Sequence, residues 1–147
     1  MTLRDATAAD LPAVLALLSE DVVGRPPEPP DVEPAHERAF AEIRDDPRNV
    51  LLVAEEGGEL IACAQVTYIP GLTRHGAERC QVEGVRVRSD RRGEGIGEWL
   101  MAAIVAAARE RGCGLVQLTT NKGRDDAHRF YVRLGFVASH EGMKLAL

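Results

Sequence analysis

Apolar residues change their spacing several times along this 147-residue chain, and each change marks a structural element. Residues 2–6 read as a short edge strand. Behind Asp10, a residue suited to capping a helix start, Leu11, Val14, Leu15, Leu17 and Leu18 recur at helical spacing. Residues 22–34 then hold Gly24, Pro26, Pro27, Pro29, Pro30 and Pro34, which forbid regular structure and predict a stiff loop. Ala35, Ala39, Phe40 and Ile43 mark one face of a second helix, stopped by Pro47. From residue 50 the period shortens: 50–55 and 59–69 read as strands joined at Gly57-Gly58, a hairpin turn signal. Residues 79–88 predict a third strand, in which Gly84 is either a bulge or a close-packing position. A long helix follows, with Leu100, Met101, Ile104, Val105 and Ala108 inward and its stop at Gly112 or Gly114. A strand at 115–120, a helix at 125–134 and a closing strand or hairpin over 136–147 complete the chain. The order predicts one domain over 1–147, of α/β class, with helices on the faces of a mixed sheet.

Composition narrows the classes of function. A net charge of −5 argues against a general nucleic-acid binder, whose footprint is usually basic. No helix-turn-helix with a basic recognition helix is legible, which disfavours a DNA-binding regulator. No apolar run approaches the roughly 20 residues of a membrane-spanning helix, and Arg4, Asp5 and Asp10 interrupt any leader-like apolar start. Cys63, Cys80 and Cys113 form no close pair and read as reduced thiols of a cytoplasmic protein. No Cys, His or acidic grouping has metal-ligand spacing, so no metal is expected.

The segment Arg91-Arg92-Gly93-Glu94-Gly95-Ile96-Gly97 stands between a predicted strand and a predicted helix. Glycines let backbone come close to a ligand, and the N–H groups of a helix start favour an anion, diphosphate above all. A purely structural tight turn is the alternative. A P-loop requires Ser or Thr after Gly-Lys, and Glu98 follows Gly97 here. A dinucleotide fingerprint requires a small residue where Glu98 stands and an acid after the next strand, which ends in Thr119, Thr120 and Asn121.

The third candidate fits better. Arg92, Gly95 and Gly97, preceded by Val85-Arg86-Val87-Arg88, resemble the acyl-CoA motif of the GNAT superfamily of N-acyltransferases. Asn121, the run Ala127-His128-Arg129-Phe130-Tyr131 and then Leu134-Gly135-Phe136 resemble that family's second motif, in the right order and spacing. Leu3-Arg4-Asp5-Ala6-Thr7 with Asp10 is similar to its first strand and helix start, so the resemblance spans the chain. It implies a mostly antiparallel sheet with a central, splayed parallel strand pair and acetyl-CoA as co-substrate. It further implies that backbone at Val85 and Val87 pairs with pantetheine, and that N–H groups from Arg92 through Gly93, Gly95, Ile96 and Gly97 hold the diphosphate. Asn121, Ala127 and Phe130 are expected along the cofactor, and a homodimer is a further expectation of the resemblance.

The implied reaction is direct attack of a primary amine on the thioester in a ternary complex. Such an amine is neutral in only about one molecule in 2,500 at pH 7, so a base is useful, and the leaving thiolate benefits from a proton donor. The resemblance puts Tyr131 in the donor's place and Glu83 in the base's. A packing Tyr beside Phe130 and a solvent-facing strand Glu are the alternatives, and a bulge at Gly84 would change the facing of Glu83. His75, His128, His140 and Glu141 have no assigned role.

Charge is unevenly spread. Residues 28–46 carry a net −5 and residues 85–133 a net +4. The first segment suggests a cationic small-molecule amine as acceptor, steered by an acidic wall, or simply a solvated helix face. The run 126–131 with Ser139-His140 also resembles aminoalkylphosphonate acetyltransferases, which act on amines bearing a negative group. Of 18 basic residues 16 are Arg, and Arg86, Arg88, Arg91 and Arg92 cluster beside the glycine segment, where guanidinium suits phosphate. A non-catalytic acyl-CoA-binding sensor is the alternative function, and a protein acceptor stays open.

Overall fold

The computed structural model describes residues 1–20 and 30–147; Gly24, Pro26, Pro27, Glu28 and Pro29 of the Pro-rich stretch lie outside the described residues. The chain forms two compact units, Met1–Gln117 and Leu118–Leu147. In chain order the elements are β1 (Thr2–Asp5), α1 (Leu11–Ser19), α2 (Pro34–Asp45), β2 (Asn49–Glu56), β3 (Glu59–Ile69), β4 (Arg79–Val87), α3 (Ile96–Arg111), β5 (Leu115–Leu118) and α4 (Asp125–Arg133). The strands are adjacent in the order β1-β2-β3-β4-β5; β1 to β4 pair antiparallel, and β4 and β5 are parallel.

Strand register assigns the two faces of the sheet. Val53 opposes Cys63 and Leu51 opposes Gln65, and these positions share a face because side chains alternate along a strand. Val14 and Leu17 of α1 pack there against Val53 and Cys63. On the other face lie Leu52, Ala64, Val66, Val82, Tyr68 and Cys80, paired in register across β2, β3 and β4. Tyr68 stacks under the guanidinium of Arg111 at the end of α3, 4.1 Å from its ring centre, which places α3 on this second face. Ile96, Leu100, Met101, Ile104 and Ala108 of α3 are buried. Burial pushes the Cys63 thiol up to about 12 and the Cys80 thiol up to about 11.

Asp10 works differently from the expected cap. It precedes α1 but makes no capping bond to it; its Oδ2 instead accepts from the Thr7 backbone N–H at 2.7 Å and closes the turn before the helix. Arg4 reaches the same carboxylate at 2.7 and 3.0 Å and Glu55 at 2.9 Å, tying β1, β2 and the turn together. The Arg4 guanidinium holds the Asp10 carboxyl well below the usual carboxylate range. A depressed carboxyl contributes its stability in full above the ordinary carboxylate pKa of about 4 and loses it as pH falls toward its own lower value. Asp10→Asn is therefore expected to unfold at lower denaturant than the parent at pH 7, with the gap narrowing below about pH 4. Paired urea titrations at pH 7 and pH 3 measure it, and a gap of constant size would contradict the pairing.

Two expected features differ. On α2 Phe40 is buried, whereas Ala35 and Ala39 are exposed, so the packed stripe is narrower than its spacing predicts. No strand forms over 136–147, and β5 is the last strand of the sheet among the described residues. At the β3–β4 hairpin Arg74 and His75 adopt left-handed backbone, with φ of 53° and 57°. That conformation costs a non-glycine residue roughly 1–2 kcal/mol.

Candidate active site

Gly84 is the bulge. Cys63 opposes Arg86 and Gln65 opposes Glu83, so β4 spends one residue more than β3 between these pairs. Gly84 absorbs it at φ +61°, and a Cβ there would stand 3.4 Å from Leu18 of α1. The extra residue reverses the alternation along β4. Glu83 shares its face with Gln65 and Cys63, while Val87 opposes Ala62 on the other face with Val85. A regular strand would have put Glu83, Val85 and Val87 on one side; the bulge turns the Glu83 carboxylate to the side of α1, where it is exposed.

The loop after β4 presents backbone. Gly93 and Gly95 adopt φ of +85° and +81°, and a Cβ on either would meet nothing within 4 Å. Gly95 occupies the cap of α3 in left-handed conformation, and among the described residues no side chain caps the first N–H groups of this 16-residue helix, at Ile96, Gly97 and Glu98. Trp99 N–H begins the helix ladder on the Gly95 carbonyl at 3.0 Å. A bare, left-handed glycine loop ahead of open helix N–H groups fits a diphosphate.

The arginine cluster is less available than its sequence positions suggest. Arg88 bonds Asp90 at 2.7 Å and Glu59 at 3.0 Å, and Arg91 bonds Glu56 at 2.7 Å and Glu94 at 2.8 Å. Arg91 in turn holds the Glu56 carboxyl below its ordinary range. Arg92 donates to the Val87 carbonyl at 3.2 Å and lies 3.7 Å from Glu20; Arg86 donates to the Val85 carbonyl at 2.9 Å.

In the second unit, Asn121 uses its side-chain oxygen to accept the Gly123 N–H at 2.9 Å, closing the turn that leads into α4. Ala127, Phe130 and Tyr131 are half-buried on that helix. The Tyr131 ring meets Phe130 edge-on at 5.0 Å and Phe136 at 5.7 Å. His128 is half-buried, with Nε2 enclosed and lacking a hydrogen-bond partner among the described residues. His140 bonds Ser139 at 2.8 Å, and Glu141 pairs with Lys122 at 3.3 Å, both exposed. The structure thus brings Glu83, Val85, Val87, Arg92, Gly93, Gly95, Ile96 and Gly97 together on β4–loop–α3, and Asn121, Ala127, Phe130 and Tyr131 together around α4.

The acidic segment is partly engaged. Asp45 pairs with Arg44 at 2.8 Å, and Asp46 accepts from the Arg48 backbone and the Asn49 amide, each at 2.8 Å. A cavity of about 410 Å³ lies beside it, lined by Asp5, Arg44, Asp46, Leu52 and Tyr68 among others, and holds none of the expected site residues. One feature of the first unit was not anticipated. Register puts Asn49, Gln65, Thr67, Arg79, Gln81 and Glu83 on the α1 face beyond the helix's reach, a polar surface on interior strands. Its signal was the alternation of Arg79, Gln81 and Glu83 with Cys80 and Val82.

Comparison with known proteins yields a consistent set. The family model described as the acetyltransferase (GNAT) family matches residues 12–136. The aminoalkylphosphonate N-acetyltransferase of Salmonella typhimurium is 32% identical over 138 residues, covering 94% of this chain and 86% of that protein. The L-methionine sulfoximine/L-methionine sulfone acetyltransferase of Pseudomonas aeruginosa is 32% identical over 143 residues, covering 94% and 81%. Among solved structures, one described as a transcriptional regulator from Bacillus halodurans is 46% identical, covers 99% of each chain and superposes with a TM-score of 0.92.

Proposed function

The chain belongs to the acetyltransferase (GNAT) family, and from that premise we propose that it moves an acetyl group from acetyl-CoA to the primary amine of a small molecule. The observation that carries this reading is the β4–loop–α3 geometry: a glycine bulge at φ +61° followed by the left-handed Gly93 and Gly95 and the uncapped start of α3. Backbone of Val85 and Val87 would hold the pantetheine arm, and the N–H groups from Arg92 to Gly97 the diphosphate. Asn121, Ala127 and Phe130 would line the cofactor as well.

Bound acetyl-CoA supplies a thioester carbonyl open to attack and a thiolate leaving group. The remaining work falls to the chain. Glu83 takes a proton from the acceptor ammonium, directly or through water, and so raises the fraction of neutral amine. The Tyr131 hydroxyl gives its proton to the departing sulfur. The two relatives with named acceptors act on an aminoalkylphosphonate and on methionine sulfoximine or sulfone, which supports a small amine as acceptor here.

Thiol release from acetyl-CoA, followed across a panel of small amines, tests the proposal. Acetylated product from at least one amine at a rate above the uncatalysed background is the expected result. A second reading, an acyl-CoA-binding sensor without turnover, is favoured by the Bacillus structure described as a regulator. Tight CoA binding with no acetyl transfer to any amine would establish that reading instead.

A further inference from the structure

The polar surface beside α1 reads as a recognition floor. Interior strands of a sheet ordinarily carry apolar residues toward a helix-covered face, and the opposite face of these same strands does so with Ala62, Ala64, Val66, Cys80 and Val82. On the α1 face, past Val53 and Cys63, the side chains of Asn49, Gln65, Thr67, Arg79, Gln81 and Glu83 are polar, beside Leu51 and Ile69, and two bonds tie part of this set together. Gln117 of β5 donates to Gln81 at 2.7 Å, and Thr67 donates to Asn49 at 2.7 Å. These bonds fix the amides of Asn49, Gln81 and Gln117; of the three ions along β4, Arg86 donates to the Val85 carbonyl, while Arg79 stands at the strand's start and Glu83 before the bulge.

Arg79 differs from its counterparts. Arg4, Arg44, Arg88, Arg91 and Arg111 each face a carboxylate within 3.0 Å. Arg79 Nε, like Arg86 Nε, is enclosed and has no hydrogen-bond acceptor among the described residues, but Arg86 uses its Nη1 on the Val85 carbonyl at 2.9 Å. An enclosed guanidinium N–H without an acceptor is costly, so Arg79 is retained for a contact made by its outer N–H groups rather than by the enclosed Nε. Arg79 and Glu83 stand four residues apart on one face, roughly 13 Å along the strand. The reach of an extended Arg and a Glu leaves a gap that a molecule with an amine and an acid group a few bonds apart would span.

We propose that this chain's acceptor is zwitterionic, with its acid group received by Arg79 and its amine directed to Glu83 over the Gln81–Gln117 pair. This rests on the acetyltransferase reading and names the acceptor class for it. A guanidinium holds a carboxylate or a phosphonate through two parallel bonds, so both acid types qualify.

The test compares 2-aminoethylphosphonate and L-methionine sulfone with propylamine, which keeps the amine and lacks the acid, on the full chain, as parent, R79Q and R79K. The ratio of kcat/KM for each acid-bearing amine over propylamine is expected to fall about 30-fold in R79Q, chiefly through KM, and to recover in part in R79K. Titration of 2-aminoethylphosphonate and L-methionine sulfone into the CoA-bound protein reads the same contact without turnover. Binding of one of them by the parent and weaker binding by R79Q supports the proposal even if no amine is acetylated, in which case the catalytic reading alone falls. Unchanged ratios in R79Q with CoA affinity preserved, or no binding of either acid-bearing amine to the CoA-bound parent, overturns it.

Discussion

Replacing Tyr131 by Phe is expected to lower turnover by about 10²- to 10⁴-fold, the range a positioned proton donor contributes, while CoA affinity stays within about twofold. The substitution is narrow because the ring is held by shape. Phe130 and Phe136 meet it edge-on at interplanar angles of 69° and 72°, and a phenyl ring satisfies both contacts as well as a phenol does. The two ring contacts are therefore kept, and the change removes one oxygen and its proton. A phenol is protonated at neutral pH, so it has a proton to give to a departing thiolate. Steady-state thiol release, paired with calorimetric titration of CoA, separates the outcomes. Lost turnover with intact CoA binding assigns the donor role to Tyr131; undiminished turnover makes it a packing residue.

The legible parts of the site were those written in local chemistry. Glycines at 93, 95 and 97 between a period-2 stretch and a period-3.6 stretch announce a strand–loop–helix junction whatever the rest of the chain does. Gly84 inside a strand allowed either a bulge or a packing position, and the register decides for the bulge. The facing of Glu83 was not legible, because a single inserted residue exchanges the two sides of a strand, and only the partner strand shows where the insertion falls. The availability of the arginines was hidden for a similar reason. Arg91 bonds Glu56, 35 positions away, and Arg88 bonds Glu59, 29 positions away, pairings that only the folded hairpin creates.

The C-terminal stretch shows the same limit from the other side. Met143, Leu145 and Leu147 alternate as a strand does, yet all three are exposed and no ladder forms. Alternation is a property of the segment, whereas a strand also needs a neighbour for its backbone groups. The polar floor on β3 and β4 reverses this case: its alternation was readable in residues 79–83, but which of the two alternating sets met α1 depended on the register with β3.

Replacing Leu100 by Ala is expected to lower stability by about 2–5 kcal/mol, a large share of the 5–15 kcal/mol typical of a domain. Leu100 is 0% exposed, and its buried neighbours Ile96, Met101 and Ile104 along α3 are tied into one helix that cannot collapse onto the space left behind. At roughly 2–4 °C per kcal/mol, the midpoint of thermal unfolding should drop by about 10 °C. Because α3 also begins at the glycine loop, the same variant tests whether site and core are separable. A ligand that binds only the folded state adds RT ln(1 + [L]/Kd), about 2.7 kcal/mol at a hundredfold excess over Kd. If the first turn of α3 keeps its geometry, saturating CoA raises the midpoints of parent and variant by equal free energies. A smaller increment in the variant would mean that the loop's open N–H groups are positioned by the packing of Leu100 one turn below them.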